Sequence, residues 1–291
     1  MPFCRKYIVE VILFIIFLGF LQGLTEFLPI SSSGHLALME NIPFFHEFSH
    51  KIQTSFSLLA FNVILHIGTI VAVIYFWRKD ILSLIKKSFQ NLKEKNYKGE
   101  GIRILILIFL ATLPVLSVPF YKDFVSATSE SLILVSVFFI INGLFLIISD
   151  IFVIRKKKHH EHLKNLSEYQ NKNAFIVGIF QCFAVLPGIS RSGSTISAGL
   201  FTGLSGEESV RFSFLISIPV LTGAALLEGK EAFIDTQITN FRYDWAAIGI
   251  ISSFLAGILS LKLLVWLGRK LIFYPFGIYT LILGIIVLLT T

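Results

Sequence analysis

QGLTEFLPISSSGHL, residues 22–36, is repeated without a gap as QCFAVLPGISRSGST, residues 181–195. Gln22 falls on Gln181, Ile30 on Ile189, Ser31 on Ser190, Ser33 on Ser192 and Gly34 on Gly193. The copies differ where chemistry is carried: Glu26 stands opposite Val185, Ser32 opposite Arg191 and His35 opposite Ser194. One copy thus offers a carboxylate, a hydroxyl and an imidazole, and the other a guanidinium. Together they are the parts of a site that handles phosphate.

The surroundings of the repeat are apolar. Of 291 residues, 55% are hydrophobic and 15% charged, and the mean hydropathy is +0.79. So much apolar surface does not fit inside a soluble core, so an integral membrane protein is expected. Runs of about 20 apolar residues match a hydrocarbon layer of roughly 30 Å. The runs lack strand alternation, which predicts an all-α chain and not a barrel. The net charge of +7 does not indicate nucleic acid, because the basic residues flank apolar spans in the pattern of the positive-inside rule. Residues 78–103 hold eight Lys or Arg against three Asp or Glu, and residues 155–173 hold six against two. The two cysteines, Cys4 and Cys182, make neither a disulfide framework nor a zinc site. Arg5 and Lys6 precede an apolar run without a cleavage motif, so the N-terminus is expected to be retained.

Six full crossings are predicted, at 58–77, 103–120, 132–154, 211–227, 246–267 and 272–290. With both basic loops in the cytoplasm, the acidic 228–244 connection falls outside, and Arg269 and Lys270 fall inside. Both termini then lie outside, with Arg5 and Lys6 against the bias. Parity forces each repeat to enter and return on one side, giving two re-entrant helical hairpins of opposite orientation, at about 8–50 and 174–208. Pro29, Gly34, Pro187, Gly188 and Gly193 break the helices there. The organisation expected is one membrane domain, 1–291. A first half spans 1–154, a cytoplasmic linker 155–173, and an inverted second half 174–291, whose hairpin tip meets the first near the bilayer midplane.

Glu26 is ionisable within an apolar stretch and so marks a functional site. Gln22 lies four residues earlier on the same helical face. The pair suits orienting water, a metal ion or a neighbouring side chain, and Gln22 equally suits inter-helix adhesion. Ser31, Ser32, Ser33 and His35 supply hydroxyls and an imidazole able to move protons near neutral pH, at a helix start whose free N–H groups bind phosphate. Arg191 among Ser190, Ser192, Ser194 and Thr195 needs an anionic partner at that depth. A phosphate or Glu26 serves. His66 reads as a packed or hydrogen-bonded histidine. Glu207, Glu208 and Arg211 read as caps and anchors of the following helix, with Arg211 also able to reach a phosphate, and His159, His160 and His162 as a solvated face.

On these motifs the chain resembles the undecaprenyl-diphosphate phosphatase family of the bacitracin-resistance type. The family's Glu/Gln-x-x-x-Glu and PxSSxGH patterns are met by Gln22, Glu26, Pro29, Ser31, Ser32, Gly34 and His35. Its PGxSRSxxT pattern is met by Pro187, Gly188, Ser190, Arg191, Ser192 and Thr195. The resemblance implies hydrolysis of undecaprenyl diphosphate to the monophosphate and inorganic phosphate, recycling the lipid carrier of cell-wall synthesis and giving bacitracin resistance. It places the protein in a bacterial plasma membrane, with the site open to the outer side. Carried over, Ser32 is the nucleophile, with His35 as its base and Glu26 as orienting acid. Arg191 holds the diphosphate with Ser190, Ser192 and Thr195, and attack by His35 or by a water that Glu26 activates stands as an alternative. A divalent cation, Mg2+ or Ca2+, fits a diphosphate substrate, with Glu26 as a candidate ligand, and no organic cofactor is called for. Gln22 departs from the glutamate of other members, which weakens a two-carboxylate metal site. The partners implied are the polyprenyl diphosphate and membrane lipids, and oligomeric state stays open, a homodimer included.

Two other readings compete. The type 2 phosphatidic acid phosphatases also use SGH and SR blocks, but they need a later catalytic histidine, and none follows His162. A lipid-phosphate transporter or flippase would share the inverted-repeat architecture. Phosphate release from a polyprenyl diphosphate separates it from an enzyme.

Overall fold

The computed structural model describes residues 2–41, 58–159, 162–234 and 242–291. Helices α1 (Pro2–Phe27) and α2 (Ser32–Glu40) carry the first copy of the repeat. After α3 (Leu58–Phe76), the axis bends by 66° at Trp77 into α4 (Arg78–Lys93). Helix α5 (Glu100–Thr112) gives way to a 3-10 stretch, Leu113–Tyr121, and the short α6 (Lys122–Ser129). Then come α7 (Leu132–Lys158), α8 (Asn171–Phe183) and α9 (Arg191–Phe201), the last two carrying the second copy. Helices α10 (Gly206–Ile234), α11 (Tyr243–Lys270) and α12 (Tyr274–Thr290) complete the chain. The described residues contain no strand, only an isolated bridge between Lys164 and Leu204.

Five helical stretches among the described residues are long and apolar enough to cross a membrane, or six if the bent α3–α4 pair counts as one. The chain is therefore a multi-pass, essentially all-helical membrane protein. The spans differ in places from those expected. Ile8–Phe27 is itself long enough to cross, where the sequence predicts only the rising arm of a hairpin. The outer part of that hairpin, 42–50, lies outside the described residues, as do His160 and residues 235–241 of the acidic connection. The predicted 103–120 crossing is α-helical only to Thr112, because Pro114 and Pro119 lack the N–H an α-helix needs and tighten the chain into 3-10 turns. Helix α12 has seventeen residues, short for a span.

Small residues set the closest packing, as expected where lipid removes the hydrophobic drive between helices. Helices α7 and α12 meet at Gly143 and Gly277: a Cβ on Gly143 would lie 2.5 Å from the Gly277 carbonyl oxygen, and one on Gly277 2.8 Å from that of Gly143. Polar ties gather at one end of the bundle. Arg211 of α10 pairs with Asp80 of α4 at 3.0 Å, and Arg269 of α11 pairs with Glu207 at 3.0 Å, the anchoring expected of that acidic pair and Arg211. Asp150, buried in α7, accepts hydrogen bonds from the backbone N–H groups of Phe273 (2.6 Å) and Tyr274 (2.7 Å). These are donors that the first turn of α12 leaves unbonded. The carboxylate thereby fixes where α12 begins. Asp150→Ala strands both donors, and by analogy with lost helix caps and buried partners it should destabilise the fold by about 1–3 kcal/mol. A fall in Tm of the purified protein, with Asp150→Asn falling less, checks this.

Candidate active site

Each copy of the repeat breaks one helix and starts another, and both starts are built alike. Ser31 caps α2 by accepting the Gly34 N–H at 3.2 Å, and Ser190 caps α9 by accepting the Gly193 N–H at 3.1 Å. In both, the N-cap carbonyl accepts the N–H four residues on, from His35 and from Ser194. The repeated serines and glycines are thus the residues that form the cap.

The two breaks touch. The Ser31 hydroxyl also accepts the N–H of Gly188 at 3.1 Å. Gly34 lies so near Gly188 that a Cβ on it would stand 2.8 Å from the Gly188 Cα. Gly188 has φ 102, a left-handed conformation natural to glycine. Ser31, at φ 69, takes a strained backbone that a non-glycine residue keeps only when its surroundings hold it. Two side chains supply that hold. His35 Nδ1 donates to the Ser31 carbonyl oxygen at 2.7 Å. Asn142, near the middle of α7, donates to the Pro29 carbonyl oxygen at 3.0 Å and accepts the Ser190 N–H at 3.0 Å, so one amide clasps both copies.

Glu26 sits at the centre of the chemistry, 7% exposed. Its Oε1 accepts from Arg191 Nη2 at 2.8 Å, and its Oε2 accepts from Ser32 Oγ at 2.9 Å and from Gln22 Nε2 at 3.2 Å. Behind it, His66 of α3 lies 3.1 Å from Gln22 Nε2 and 3.8 Å from Glu26 Oε2. Nε and Nη1 of Arg191 are buried and have no hydrogen-bond partner among the described residues. A small cavity opens over the group, lined on its polar side by Thr25, Glu26, Ser31, Ser32, Ser33, Ser190 and Arg191. The first-turn N–H groups of α2 and α9 supply further donors beside it.

Other expected site residues stand elsewhere. No hydrogen bond joins His35 to Ser32. With Nδ1 committed to Ser31, the neutral ring has Nε2 as acceptor, and Tyr279 of α12 donates to it at 2.7 Å with its ring stacked on the imidazole. Thr195 turns its hydroxyl to the Arg191 carbonyl oxygen and Ser213, and Ser192 faces Ser190. Neither lines the cavity. Gln22 lies behind Glu26 and joins α1 to α3.

Four further residues support the site or the helices around it. Asn142 and Asp150 carried a signal, as polar groups inside a long apolar run. His66, expected as a packed or hydrogen-bonded histidine, is hydrogen-bonded, to the glutamine that holds Glu26. Tyr279 carried no signal: one aromatic in an apolar helix is ordinary. Asn142→Leu keeps the branched shape and removes both clasping bonds. It should lower stability by about 1–3 kcal/mol and depress turnover more than KM, as a thermal melt beside steady-state kinetics will show.

Residues 15–286 match the family described as "Bacitracin resistance protein BacA". The undecaprenyl-diphosphatase of Methanococcus vannielii is 37% identical over 276 residues, covering 94% of this chain and 98% of that protein. Proteins of the same name from Syntrophotalea carbinolica (37% identical, 92% of this chain and 95% of that one) and Alkaliphilus metalliredigens (34%, 94% and 96%) are similar along nearly their whole length. With the two broken-helix motifs falling inside the matched span, the chain belongs to the bacitracin resistance protein BacA family.

Proposed function

We propose that the chain hydrolyses undecaprenyl diphosphate to undecaprenyl phosphate and inorganic phosphate, with Ser32 as nucleophile, Glu26 as its base and Arg191 as the phosphate holder. Family membership and the shared name of its relatives support the reaction. The observation that carries the assignment of roles is the Ser32–Glu26–Arg191 chain of hydrogen bonds beneath the cavity, at 2.9 and 2.8 Å. A serine hydroxyl attacks well only when a base takes its proton, and among the described residues the carboxylate bonded to Ser32 is that of Glu26.

Ser32 Oγ attacks the terminal phosphorus, forming a P–O bond while the bond from that phosphorus to the bridging oxygen breaks. Undecaprenyl phosphate leaves with the bridging oxygen, and the proton of Ser32 passes to Glu26. A water then attacks the phosphoserine, the bond from phosphorus to Ser32 Oγ breaks as Glu26 returns its proton to that oxygen, and inorganic phosphate leaves carrying the hydrogens of the water. Arg191 Nε and Nη1, without a hydrogen-bond partner among the described residues, and the N–H groups starting α2 and α9 would take the oxygens on which charge develops. His35 serves this arrangement indirectly: its bond to the Ser31 carbonyl oxygen holds the strained residue that precedes the nucleophile.

The donor set does not fit a resident Mg2+ or Ca2+. Glu26 has both oxygens engaged, Gln22 replaces a second carboxylate, and the described residues contain no group of three His, Cys, Asp or Glu able to hold a metal. No step here runs through a bound ion. A cation arriving with the diphosphate is compatible with the site.

We take the two copies as re-entrant halves of an inverted repeat, 1–154 and 174–291, joined by the basic 155–173 linker in the cytoplasm of a bacterial cell and meeting near the midplane. In support, Glu26 is tied to the middle of α3 through His66, and to the second copy through Arg191. Cation–aromatic pairs Arg78–Tyr75, Lys156–Phe152 and Lys270–Trp266 mark the ends of α3, α7 and α11, the aromatic–basic signature of a membrane boundary. On this reading those ends are cytoplasmic, both termini are outside and the cavity opens outward. All the residues invoked come from one chain, so a homodimer is not required.

Phosphate release by purified protein tests the roles. Ser32→Ala should abolish turnover, and Glu26→Gln should lower it by about 10²–10⁴-fold, the usual share of a general base. Arg191→Lys should raise KM and lower kcat, because an ammonium loses the planar fork. His35→Ala should fall less far than Glu26→Gln. The reverse order would return the role of base to His35, and wild-type turnover by Ser32→Ala would remove it as nucleophile. Movement of intact lipid without phosphate release would favour the carrier reading.

A further inference from the structure

The exposed side of α4 has no use in the chemistry above. Its residues divide by face. Ile81 and Leu84 pack toward the core formed with Ile104 and Leu107 of α5, and Ser88 is buried. Beside that packed face, Leu82, Ile85, Phe89 and Leu92 are all exposed, Phe89 by 70%. At 100° per residue the four fall within an arc of roughly 80°. Next to this stripe runs a row of lysines at sevenfold spacing, Lys79, Lys86 and Lys93, all exposed and without an ion-pair partner among the described residues. Lys87, round the other side, is taken by Glu100 at 2.8 Å.

The order of the faces is therefore protein, bare hydrocarbon, positive charge. A helix facing water would bury or dilute that stripe, and a crossing helix would not carry the lysine row along its length. The 66° bend from α3 lays α4 across the direction of the spans. At the bend, the Arg78 guanidinium sits over the Tyr75 ring at 4.3 Å, a pairing suited to the headgroup layer. These are the features of a helix lying in a membrane surface, with apolar side chains among acyl tails and ammonium groups at the lipid phosphates.

We infer that α4 is an interfacial anchor that binds the anionic glycerophospholipid surface of the leaflet it meets, with Leu82, Ile85, Phe89 and Leu92 inserted and Lys79, Lys86 and Lys93 on the headgroups. The inference stands apart from the catalytic reading. It also gives the Arg211–Asp80 pair a role, because that pair joins α4 to the start of α10 and fixes the anchor to the bundle.

The test uses the full-length protein in bilayers of phosphatidylcholine with phosphatidylglycerol. Association of spin-labelled phosphatidylglycerol relative to spin-labelled phosphatidylcholine should favour the anionic lipid. Since each lysine near an anionic surface strengthens association about fivefold, the combined Lys79→Gln, Lys86→Gln, Lys93→Gln variant should lose most of that preference. A variant that keeps the wild-type preference overturns the charge half of the proposal. Phe89→Trp, a swap at an exposed position, reads the apolar half without threatening the fold. The added fluorescence should be quenched by brominated lipid and shielded from aqueous iodide. Quenching by iodide with none from brominated lipid overturns the insertion and leaves the stripe as a face for a soluble partner.

Discussion

The carboxylate of Glu26 against the guanidinium of Arg191 is the contact on which the rest of this structure depends. Each group alone at that depth is costly to desolvate, and removing one partner from such a pair is worse than never burying it. The pair is bridged between residues 165 positions apart, so it also fixes how the two copies of the repeat face one another. The surrounding devices keep that meeting in register: Ser31 bonded to Gly188, Asn142 clasping Pro29 and Ser190, and glycines thin enough for backbone to touch backbone. Ser32 gains its position from the same pair, because the carboxylate that neutralises Arg191 is the one that accepts the Ser32 hydrogen bond.

Symmetry and asymmetry divide the labour in the repeat. Positions alike in both copies build alike: serine caps its helix, the glycine three residues on supplies the capped N–H, and the breaks fall at corresponding places. Positions that differ carry the chemistry. Had both copies kept serine opposite Ser32, Glu26 would lack its counter-charge. With arginine in both, Glu26 would lose the hydroxyl that donates to it at 2.9 Å. The asymmetry extends to length, since α1 has 26 residues and its counterpart α8 only 13.

Much of this was legible in the chain. The repeat is visible by eye, apolar run lengths give the membrane class, and Glu26, Ser32 and Arg191 are conspicuous as polar groups in apolar or glycine-rich settings. The partners of His35 were not legible, because which neighbour an imidazole meets depends on how α12 packs, and α12 joins the site through contacts 244 residues away in sequence. Crossing counts were partly legible: hydropathy marks 103–120 as one span, but its prolines decide that the second half is not α-helical. Asn142 and Asp150 had the mark of function and proved to be fasteners, one for the tips and one for the start of α12. A polar residue in an apolar helix therefore points to a necessary hydrogen bond before it points to catalysis.

The paired helix starts also have a consequence for electrostatic selection. The beginning of a helix carries about half a positive charge, and α2 and α9 both begin at the cavity, while Glu26 and Arg191 cancel. The bare pocket thus holds a positive excess of about one unit. A diphosphate ester brings more negative charge to that excess than the monophosphate ester left after hydrolysis. On the proposed reaction the pocket therefore favours the diphosphate over its product, and the loss of charge on hydrolysis works toward release of the lipid.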